Sequence, residues 1–195
     1  VDFSNINKEY SVVTFHPVTM ENNTGIEQVN ELIKAMDSIS DMSYLITMAN
    51  ADAGGRDINQ KWLEEGKKHK NWKVVSSLGV TRYLSALKYA KLCIGNSSSG
   101  LVEAPSLAIP TINIGDRQKG RIQPDSVINC EAKSEEIIKA IEKGLSEEWK
   151  IKTQNIENPF GNGTSSQQMF DTIIRFLETN NNNIEKSFYN INFEG

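Results

Sequence analysis

The stretch CIGNSSSGLVEAPSLAIPTINIGD, residues 93–116, contains the clearest indication of the fold. Residues 91–94 are apolar after the initial Lys91, and a turn with three serines between Gly95 and Gly100 follows them. Residues 99–107 then carry apolar side chains at helical spacing, and residues 110–114 form a second β-branched run. Because parallel strands need a crossover between them, this order predicts a strand–helix–strand unit of a parallel sheet.

The same alternation extends along the chain in both directions. Strands are predicted over residues 10–15, 43–48, 73–76, 91–94, 110–114 and 126–130. Helices are predicted over residues 25–38, 57–69, 81–89, 99–107 and 134–145. Strands that alternate with helices predict an α/β fold with a Rossmann-like, doubly wound parallel sheet covered on both faces.

The composition is that of an ordinary globular protein. The chain has 195 residues, of which 38% are hydrophobic and 24% charged, so it can bury a sizeable core. We expect one domain over residues 1–178 and a flexible tail over residues 179–195, where four consecutive asparagines interrupt the pattern. A net charge of -4 argues against nucleic acid as a partner, and no apolar run is long enough for a membrane, so we expect a cytoplasmic protein.

Metal ligands are sparse in this sequence. Cys93 and Cys130 both fall in predicted strands, where buried free thiols are the simplest interpretation. His16 and His69 lie far from each other and from both cysteines, without the spacing of a metal site. We therefore expect neither a bound metal nor a cofactor.

Polar residues concentrate in the loops that follow the predicted strands. These loops are residues 15–19, 49–56, 76–79, 95–100 and 115–121. Open parallel sheets bind ligands at the carboxyl ends of their strands. The loops are therefore expected to converge on one ligand-binding edge.

The serine turn allows two interpretations. Ser97 and Ser98 precede a predicted helix, where unpaired backbone N–H groups and the helix dipole can hold a phosphate. A serine before a helix is also a common N-cap with no ligand at all. The loop over residues 115–121 favours the phosphate, because Arg117, Lys119 and Arg121 outnumber Asp116, although such a loop can equally be a solvated turn.

Four further polar residues are site candidates. Glu103 follows the serines by about one helical turn, where a carboxylate can accept hydrogen bonds from ribose hydroxyls, or can simply face solvent. His16 is held in extended geometry by the proline after it, but structural histidines are common. Asn50 and Asp52 can be turn formers without further function.

Three motifs together resemble the hydrolysing UDP-N-acetylglucosamine 2-epimerases of the sialic-acid and legionaminic-acid type. They are FHPVT at residues 15–19, GNSSSG at 95–100 followed by EAP at 103–105, and TINIGDRQKGR at 111–121. The resemblance runs from residue 10 to residue 178 and is specific in its combination of motifs. Non-hydrolysing relatives carry an aspartate-serine-glycine-glycine turn in place of residues 96–99, so the chain resembles the hydrolysing branch.

The resemblance implies a role for each candidate residue. His16 is placed near the sugar and diphosphate, Asn50 and Asp52 line the cleft, Ser97, Ser98 and Arg117 hold the diphosphate, and Glu103 binds the ribose. It also implies the second half of a glycosyltransferase-B-type fold, with the catalytic carboxylates in an amino-terminal half, so that the present chain alone is inactive. The full-length enzyme is expected to form a homo-oligomer and to convert UDP-N-acetylglucosamine, or a UDP-diacetamido sugar, to the 2-epimeric free sugar and UDP.

Two other functional classes remain open at this point. A nucleotide-sugar glycosyltransferase half shares the expected fold and the ribose-binding carboxylate, although its match to the serine turn and the residues 115–118 is poorer. A non-catalytic UDP-binding module would need only the phosphate and ribose groups. The sequence leaves the identity of the UDP-sugar undetermined.

Overall fold

The computed structural model describes residue 6 and residues 9–18, 24–50, 52 and 54–179. Six strands lie in this part of the chain: β1 Tyr10–Thr14, β2 Ser43–Thr47, β3 Trp72–Val75, β4 Cys93–Gly95, β5 Thr111–Ile114 and β6 Val127–Cys130. The α-helices are α1 Thr24–Ser38, α2 Gly55–Lys68, α3 Gly79–Lys88, α4 Ser99–Val102, α5 Ser134–Leu145, α6 Glu147–Gln154 and α7 Ser165–Thr179. A 3-10 turn, Pro105–Leu107, follows α4.

The six strands form one parallel sheet in the order β3-β2-β1-β4-β5-β6. Strands β1 to β3 are added in one direction from the centre, and β4 to β6 are added in the other. The predicted α/β class and the doubly wound parallel sheet are therefore confirmed. The order reverses between β1 and β4, which is where sheets of this kind leave a crevice at their carboxyl edge.

Helices cover both faces of the sheet. Successive residues of a strand point to opposite faces, so Val13 and Ile46 join a large core with α1, α2 and α5. Their neighbours Val12 and Leu45 join a smaller core with α3 and Ala104. This burial of both faces explains why the strands are short, continuous apolar runs.

The chain divides into two compact units, Val1–Phe160 and Gly161–Gly195. The sheet and helices α1 to α6 belong to the first unit, and α7 belongs to the second. The predicted domain over residues 1–178 and flexible tail over residues 179–195 stay predictions. Residues 180–195 lie outside the described part of the chain, whereas Thr179 is the last residue of α7.

The helix predicted over residues 99–107 is wrong in its length. Helix α4 has only four residues, and the chain continues through Glu103 and Ala104 into the 3-10 turn. Pro105 has no N–H group for a bond to Leu101, so the α-helical ladder cannot continue through it. The turn ends at Ala108, the described non-glycine residue with a left-handed backbone, φ 54°.

Helix α6 was missed by the sequence analysis. Its apolar residues lack a clear 3.6-residue period, so no amphipathic face marks it. The Ser146 hydroxyl caps this helix by accepting the N–H of Trp149 at 3.2 Å. A serine followed by Glu147 and Glu148 in the first turn is the signal that could have found it.

Candidate functional site

The candidate site lies at the carboxyl edge of the sheet, on both sides of the β1/β4 crevice. The loops after β1, β2, β4 and β5 all begin at this edge because the strands are parallel. Gly95 ends β4 with φ 130°, and a Cβ atom there would stand 2.0 Å from the Thr14 carbonyl oxygen. The turn after β4 can therefore pass this close to β1 only with glycine at its start.

His16 follows β1 and is half-buried at the crevice. Its Nδ1 accepts the backbone N–H of Asn50 at 3.2 Å, so the neutral imidazole carries its proton on Nε2. Burial, followed by the nearby Arg117 guanidinium, lowers the pKa of His16 below its ordinary value of 6.5. No residue in the described part of the chain bonds to Nε2, which leaves a neutral N–H donor for a ligand.

Asn50 and Asp52 follow β2 and are both exposed. The Asn50 side-chain amide donates to Asp52 Oδ2 at 2.6 Å, while the Asn50 backbone holds His16. Asp52 also opposes the effects of burial by raising the pKa values of His16 and Arg117. The structure thus brings Asn50, Asp52 and His16 together.

The serine turn connects β4 to α4. Ser97 Oγ accepts the backbone N–H of Ser99 at 3.3 Å, and Ser98 occupies the N-cap position without a side-chain capping bond. The N–H groups of Ser97 and Ser98 have no hydrogen-bond acceptor among the described residues. A Cβ atom at Gly100 would stand 2.4 Å from Thr111 Cγ2, so the turn is packed tightly onto β5.

The expected contribution of a helix dipole at this turn is corrected by the structure. A helix of four residues contributes too few aligned peptides for a sizeable macrodipole. The N-cap interpretation is also weakened, because the Ser98 side chain makes no capping bond. The turn can bind an anion chiefly through its backbone N–H and hydroxyl groups, with positive charge supplied by another loop.

Arg117 brings positive charge to the serine turn. Its Nη1 donates to the backbone carbonyl of Asn96, immediately before Ser97, at 3.0 Å. Burial, followed by repulsion from Arg121, lowers the pKa of Arg117. Lys119 pairs with Asp116 at 3.6 Å and lines a polar groove with Arg121.

Asn96 and Gln118 are site residues that sequence reasoning missed. Both are fully buried. The Asn96 side chain bonds to the backbone of His16, and the Asn96 carbonyl accepts from Gln118 Nε2 at 2.7 Å. No local sequence pattern identifies these bonds, because the partners are 80 and 22 residues apart.

Glu103 lies at the end of α4 and faces a cavity of about 360 Å³. Its Oε2 atom is buried and has no hydrogen-bond partner in the described part of the chain. The opposite wall is formed by the carboxyl ends of β2 and β3 and the start of α3. A buried carboxylate oxygen of this kind is suited to a ligand that donates hydroxyl or N–H groups.

Tyr83 also lines this cavity, although the sequence analysis gave it no role. Its hydroxyl oxygen is buried without a partner among the described residues, as is Ser99 Oγ. Burial, followed by the buried Cys93 thiol, raises the pKa of Tyr83 above its ordinary value of 10.0. Glu103 also raises this pKa, so the Tyr83 hydroxyl and the Glu103 carboxyl lie near each other.

Neither cysteine belongs to the candidate site. Cys93 is buried in β4, Cys130 is half-buried at the end of β6, and burial raises the pKa of each thiol to about 12. Thiols of this kind stay protonated and unreactive near neutral pH. Among the described residues, no three metal-ligating side chains cluster, and no helix has the length and hydropathy to cross a membrane.

The fold and the edge geometry define a Rossmann-like domain whose polar groups meet at the switch point of the sheet. The family model for UDP-N-acetylglucosamine 2-epimerases matches residues 2–174. The chain therefore belongs to the UDP-N-acetylglucosamine 2-epimerase family.

Two relatives illustrate the relationship. Polysialic acid biosynthesis protein P7 of Escherichia coli is 34% identical over 190 residues, which are 97% of this chain and 48% of that protein. The GDP/UDP-N,N'-diacetylbacillosamine 2-epimerase (hydrolyzing) of Campylobacter jejuni is 39% identical over 148 residues, which are 74% of this chain and 38% of that protein. The chain spans about half the length, or less, of these curated relatives.

Solved structures show the same fold in one half of longer chains. The crystal structure of a "putative UDP-N-acetylglucosamine 2-epimerase" from Listeria monocytogenes superimposes with a TM-score of 0.70 at 17% identity and covers 95% of this chain and 49% of the other. The UDP-GlcNAc 2-epimerase of Methanocaldococcus jannaschii gives a TM-score of 0.68 at 22% identity and covers 87% of this chain and 46% of the other. The predicted half of a glycosyltransferase-B-type fold is thereby confirmed.

Proposed function

We propose that this chain is the nucleotide-binding half of a hydrolysing UDP-sugar 2-epimerase. The family membership supports this function, as do the names of the E. coli and C. jejuni relatives. The observation that carries it is the meeting of His16, Arg117 and the serine turn at the β1/β4 crevice. The substrate is UDP-N-acetylglucosamine or a UDP-diacetamido sugar.

The diphosphate lies against the serine turn. The unpaired N–H groups of Ser97 and Ser98 donate to phosphate oxygens, and Arg117 supplies a full positive charge beside them. Neutral His16 adds an Nε2–H donor from the β1 side, with Asn50 and Asp52 holding the imidazole from the cleft wall. Donors on both sides of the crevice account for an anion site in a chain of net charge -4.

The nucleoside occupies the Glu103 side of the turn. Glu103 Oε2 accepts a hydrogen bond from a ribose hydroxyl, which satisfies a buried oxygen. The base extends into the adjoining cavity between Leu78 and Tyr83. Its volume of about 360 Å³ is sufficient for a pyrimidine ring with part of the ribose.

The reaction needs a proton to leave C2 of the sugar and the bond between C1 and the UDP oxygen to break. Water then adds to C1 and a proton returns to C2 from the other face, which gives the epimeric free sugar and UDP. The donors at the serine turn and Arg117 stabilise the negative charge that develops on the departing UDP, an effect worth about 3 kcal/mol for a well-placed donor. We assign the C2 acid–base groups to the other half of the full-length enzyme, which we expect to be a cytoplasmic homo-oligomer.

Calorimetric titration of the 195-residue chain tests this proposal. We expect UDP to bind weakly, uridine more weakly still, and UDP-N-acetylglucosamine to release no UDP in a coupled assay. The variant Arg117→Ala is expected to cost about 1.5 to 3 kcal/mol of UDP affinity, because it removes a charge-assisted hydrogen bond. Uridine affinity should change little.

Lys119→Ala is the matched control. It removes one positive charge from the same loop, but Lys119 is exposed and paired with Asp116. An equal loss of UDP affinity in the two variants would show that only the general charge of the loop matters. Turnover by this chain alone would contradict the assignment of the acid–base groups to another half.

A further inference from the structure

Asn96 connects the three loops that form the candidate diphosphate site. It follows Gly95 at the end of β4, precedes Ser97, and is fully buried. We propose that Asn96 is a positioning residue, which holds His16 and Arg117 in fixed relation to the serine turn through its side chain and its backbone carbonyl. This inference rests on the proposed function and assigns a role to a residue outside the predicted site.

The side chain of Asn96 binds the β1 loop at two points. Its Oδ1 accepts the backbone N–H of His16 at 2.7 Å, and its Nδ2 donates to the His16 carbonyl at 2.8 Å. The paired bonds fix the position of the His16 backbone across the crevice. The imidazole is then oriented by the N–H of Asn50 at Nδ1.

The backbone carbonyl of Asn96 binds the β5 loop. It accepts from Arg117 Nη1 at 3.0 Å and from Gln118 Nε2 at 2.7 Å. The guanidinium is thereby held beside the serine turn, and its other N–H donors have no acceptor among the residues that the structure describes. Asn96 therefore bonds to the loops after β1 and β5, and the chain continues from Asn96 directly into the serine turn.

The chemistry of the side chain explains why asparagine suits this position. Bridging an N–H and a C=O of one residue requires a donor and an acceptor at the same distance from the backbone, which a carboxamide provides. An aspartate would keep the acceptor but lose the donor. Groups that touch a ligand need such a supporting shell, since a small misplacement is costly for binding.

A mutant cycle on UDP affinity is the first test. We expect Asn96→Ala to weaken UDP binding about tenfold, which corresponds to 1.4 kcal/mol. His16→Ala should cost less than about threefold when added to Asn96→Ala, although it costs more in the unmutated chain. Arg117→Ala should keep its full cost, because alanine retains the backbone carbonyl that accepts the guanidinium. Contacting or coupled residues show such non-additivity, whereas independent ones do not.

Asn71→Ala is the control, because the Asn71 amide donates to the Met42 carbonyl at 2.7 Å, near the opposite edge of the sheet. It should lower the melting temperature without changing UDP affinity or the cycle. If Asn96→Ala does not fold, Asn96→Ser takes its place, since a serine has too few side-chain atoms to bridge both His16 groups. A full cost for His16→Ala in the Asn96 background would overturn the proposal.

A second test needs no ligand. NMR signals of the His16 imidazole should shift in the Asn96 variant, which loses both side-chain bonds to His16, and stay in place in Asn71→Ala. Unchanged His16 signals in the Asn96 variant would overturn the positioning role. Absence of UDP binding by the unmutated chain would overturn the proposed function instead, and the NMR comparison would still decide the role of Asn96.

Discussion

The chain has two histidines, and they lie at opposite edges of the same sheet in very different surroundings. His69 lies at the amino edge, where the chain passes from the end of α2 into β3. His16 lies at the carboxyl edge, after β1. Both belong to hydrogen-bonded clusters, so burial and bonding alone do not separate a structural histidine from a functional one.

The His69 cluster, formed by Asp37, Glu65, His69 and Trp72, uses both ring nitrogens internally. Nε2 pairs with Asp37 at 2.9 Å, Nδ1 lies 2.8 Å from the Glu65 carbonyl, and the ring stacks on Trp72 with centroids 4.1 Å apart. Glu65 is bound by Lys68, which holds the pKa of its carboxyl below the usual range. The cluster closes the end of α2 and leaves no ring nitrogen for a ligand.

The His16 cluster, formed by His16, Asn50, Asn96 and Arg117, is bonded just as firmly but is incomplete. Its backbone and Nδ1 are bound, whereas Nε2 has no partner in the described ranges. Nearby, Glu103 Oε2 and Gln118 Oε1 are buried without a described partner. Buried polar groups normally have hydrogen-bond partners, so buried groups without partners near the firmly bonded His16 cluster indicate a binding site.

The largest effect on UDP binding is expected from a negative charge placed in the serine turn, at the carboxyl edge of the sheet. Ser97→Asp should abolish the rise in melting temperature caused by UDP, because its carboxylate places a negative charge beside the N–H groups of Ser97 and Ser98 and repels the phosphate. The turn itself should stay intact, since an aspartate can accept the Ser99 N–H as the serine does. Thermal melts with and without UDP report both quantities.

Ser97→Asn provides the neutral control for that measurement. The asparagine side chain is similar in size to that of aspartate and can accept the Ser99 N–H, but it carries no charge. We expect Ser97→Asn to keep most of the UDP-induced rise in melting temperature. Ser98→Ala should lose part of that rise. Retention of the full UDP-induced shift in Ser97→Asp would refute the phosphate-binding role of the turn.

At the amino edge, His69→Ala should affect stability alone. It removes two hydrogen bonds and an aromatic contact, which together are worth about 2 kcal/mol. UDP affinity should stay unchanged, because the residue lies at the other end of the strands. Urea denaturation and calorimetric titration on one preparation check the two halves of this prediction, and a weaker UDP affinity in the folded variant would contradict it.

Glu103→Gln removes the negative charge of a carboxylate at the carboxyl edge without changing the shape of the side chain. The variant should lose about 1 kcal/mol of UDP affinity, since a bond to a charged acceptor becomes a neutral one. Affinity for 2′-deoxy-UDP should change less if the carboxylate binds the ribose hydroxyl there. Equal losses for the two nucleotides would place Glu103 away from that hydroxyl, and a stability measurement controls for misfolding.

The smallest expected effect is a protonation linked to binding at His16. Burial and Arg117 lower the pKa of the free imidazole, and a bound diphosphate opposes Arg117, so the pKa should rise on binding. A pKa that is higher in the complex means proton uptake, and UDP affinity should therefore increase as the pH falls through values around and below 6.5.

Calorimetry in two buffers of different ionisation enthalpy measures this proton uptake. UDP itself titrates in the same range, so the relevant quantity is the difference between the unmutated chain and His16→Gln. His69→Gln serves as the control and should behave like the unmutated chain. The same proton uptake in His16→Gln and the unmutated chain would argue against a diphosphate beside His16.

The local pattern of the sequence was sufficient for the architecture. Six β-branched runs separated by helical periodicity, as in residues 43–48 followed by 57–69, predicted the parallel sheet that the structure contains. The same pattern located the loops that follow the strands, which the structure places at the carboxyl edge. This worked because alternation and turn chemistry depend on residues that are neighbours along the chain. The roles of His16, Asn50, Ser97 and Arg117 within those loops stay predictions.

The tertiary structure decided which polar groups contact one another and which are buried without a hydrogen-bond partner. Asn96 was hidden within a serine-rich turn, and its bonds to His16 span 80 residues. Tyr83 had the spacing of a packing residue, yet its hydroxyl shares the site with Ser99 and Glu103. Such pairings depend on strand order and on close backbone approach, as of Gly95 to Thr14, and periodicity along the chain contains no information about either.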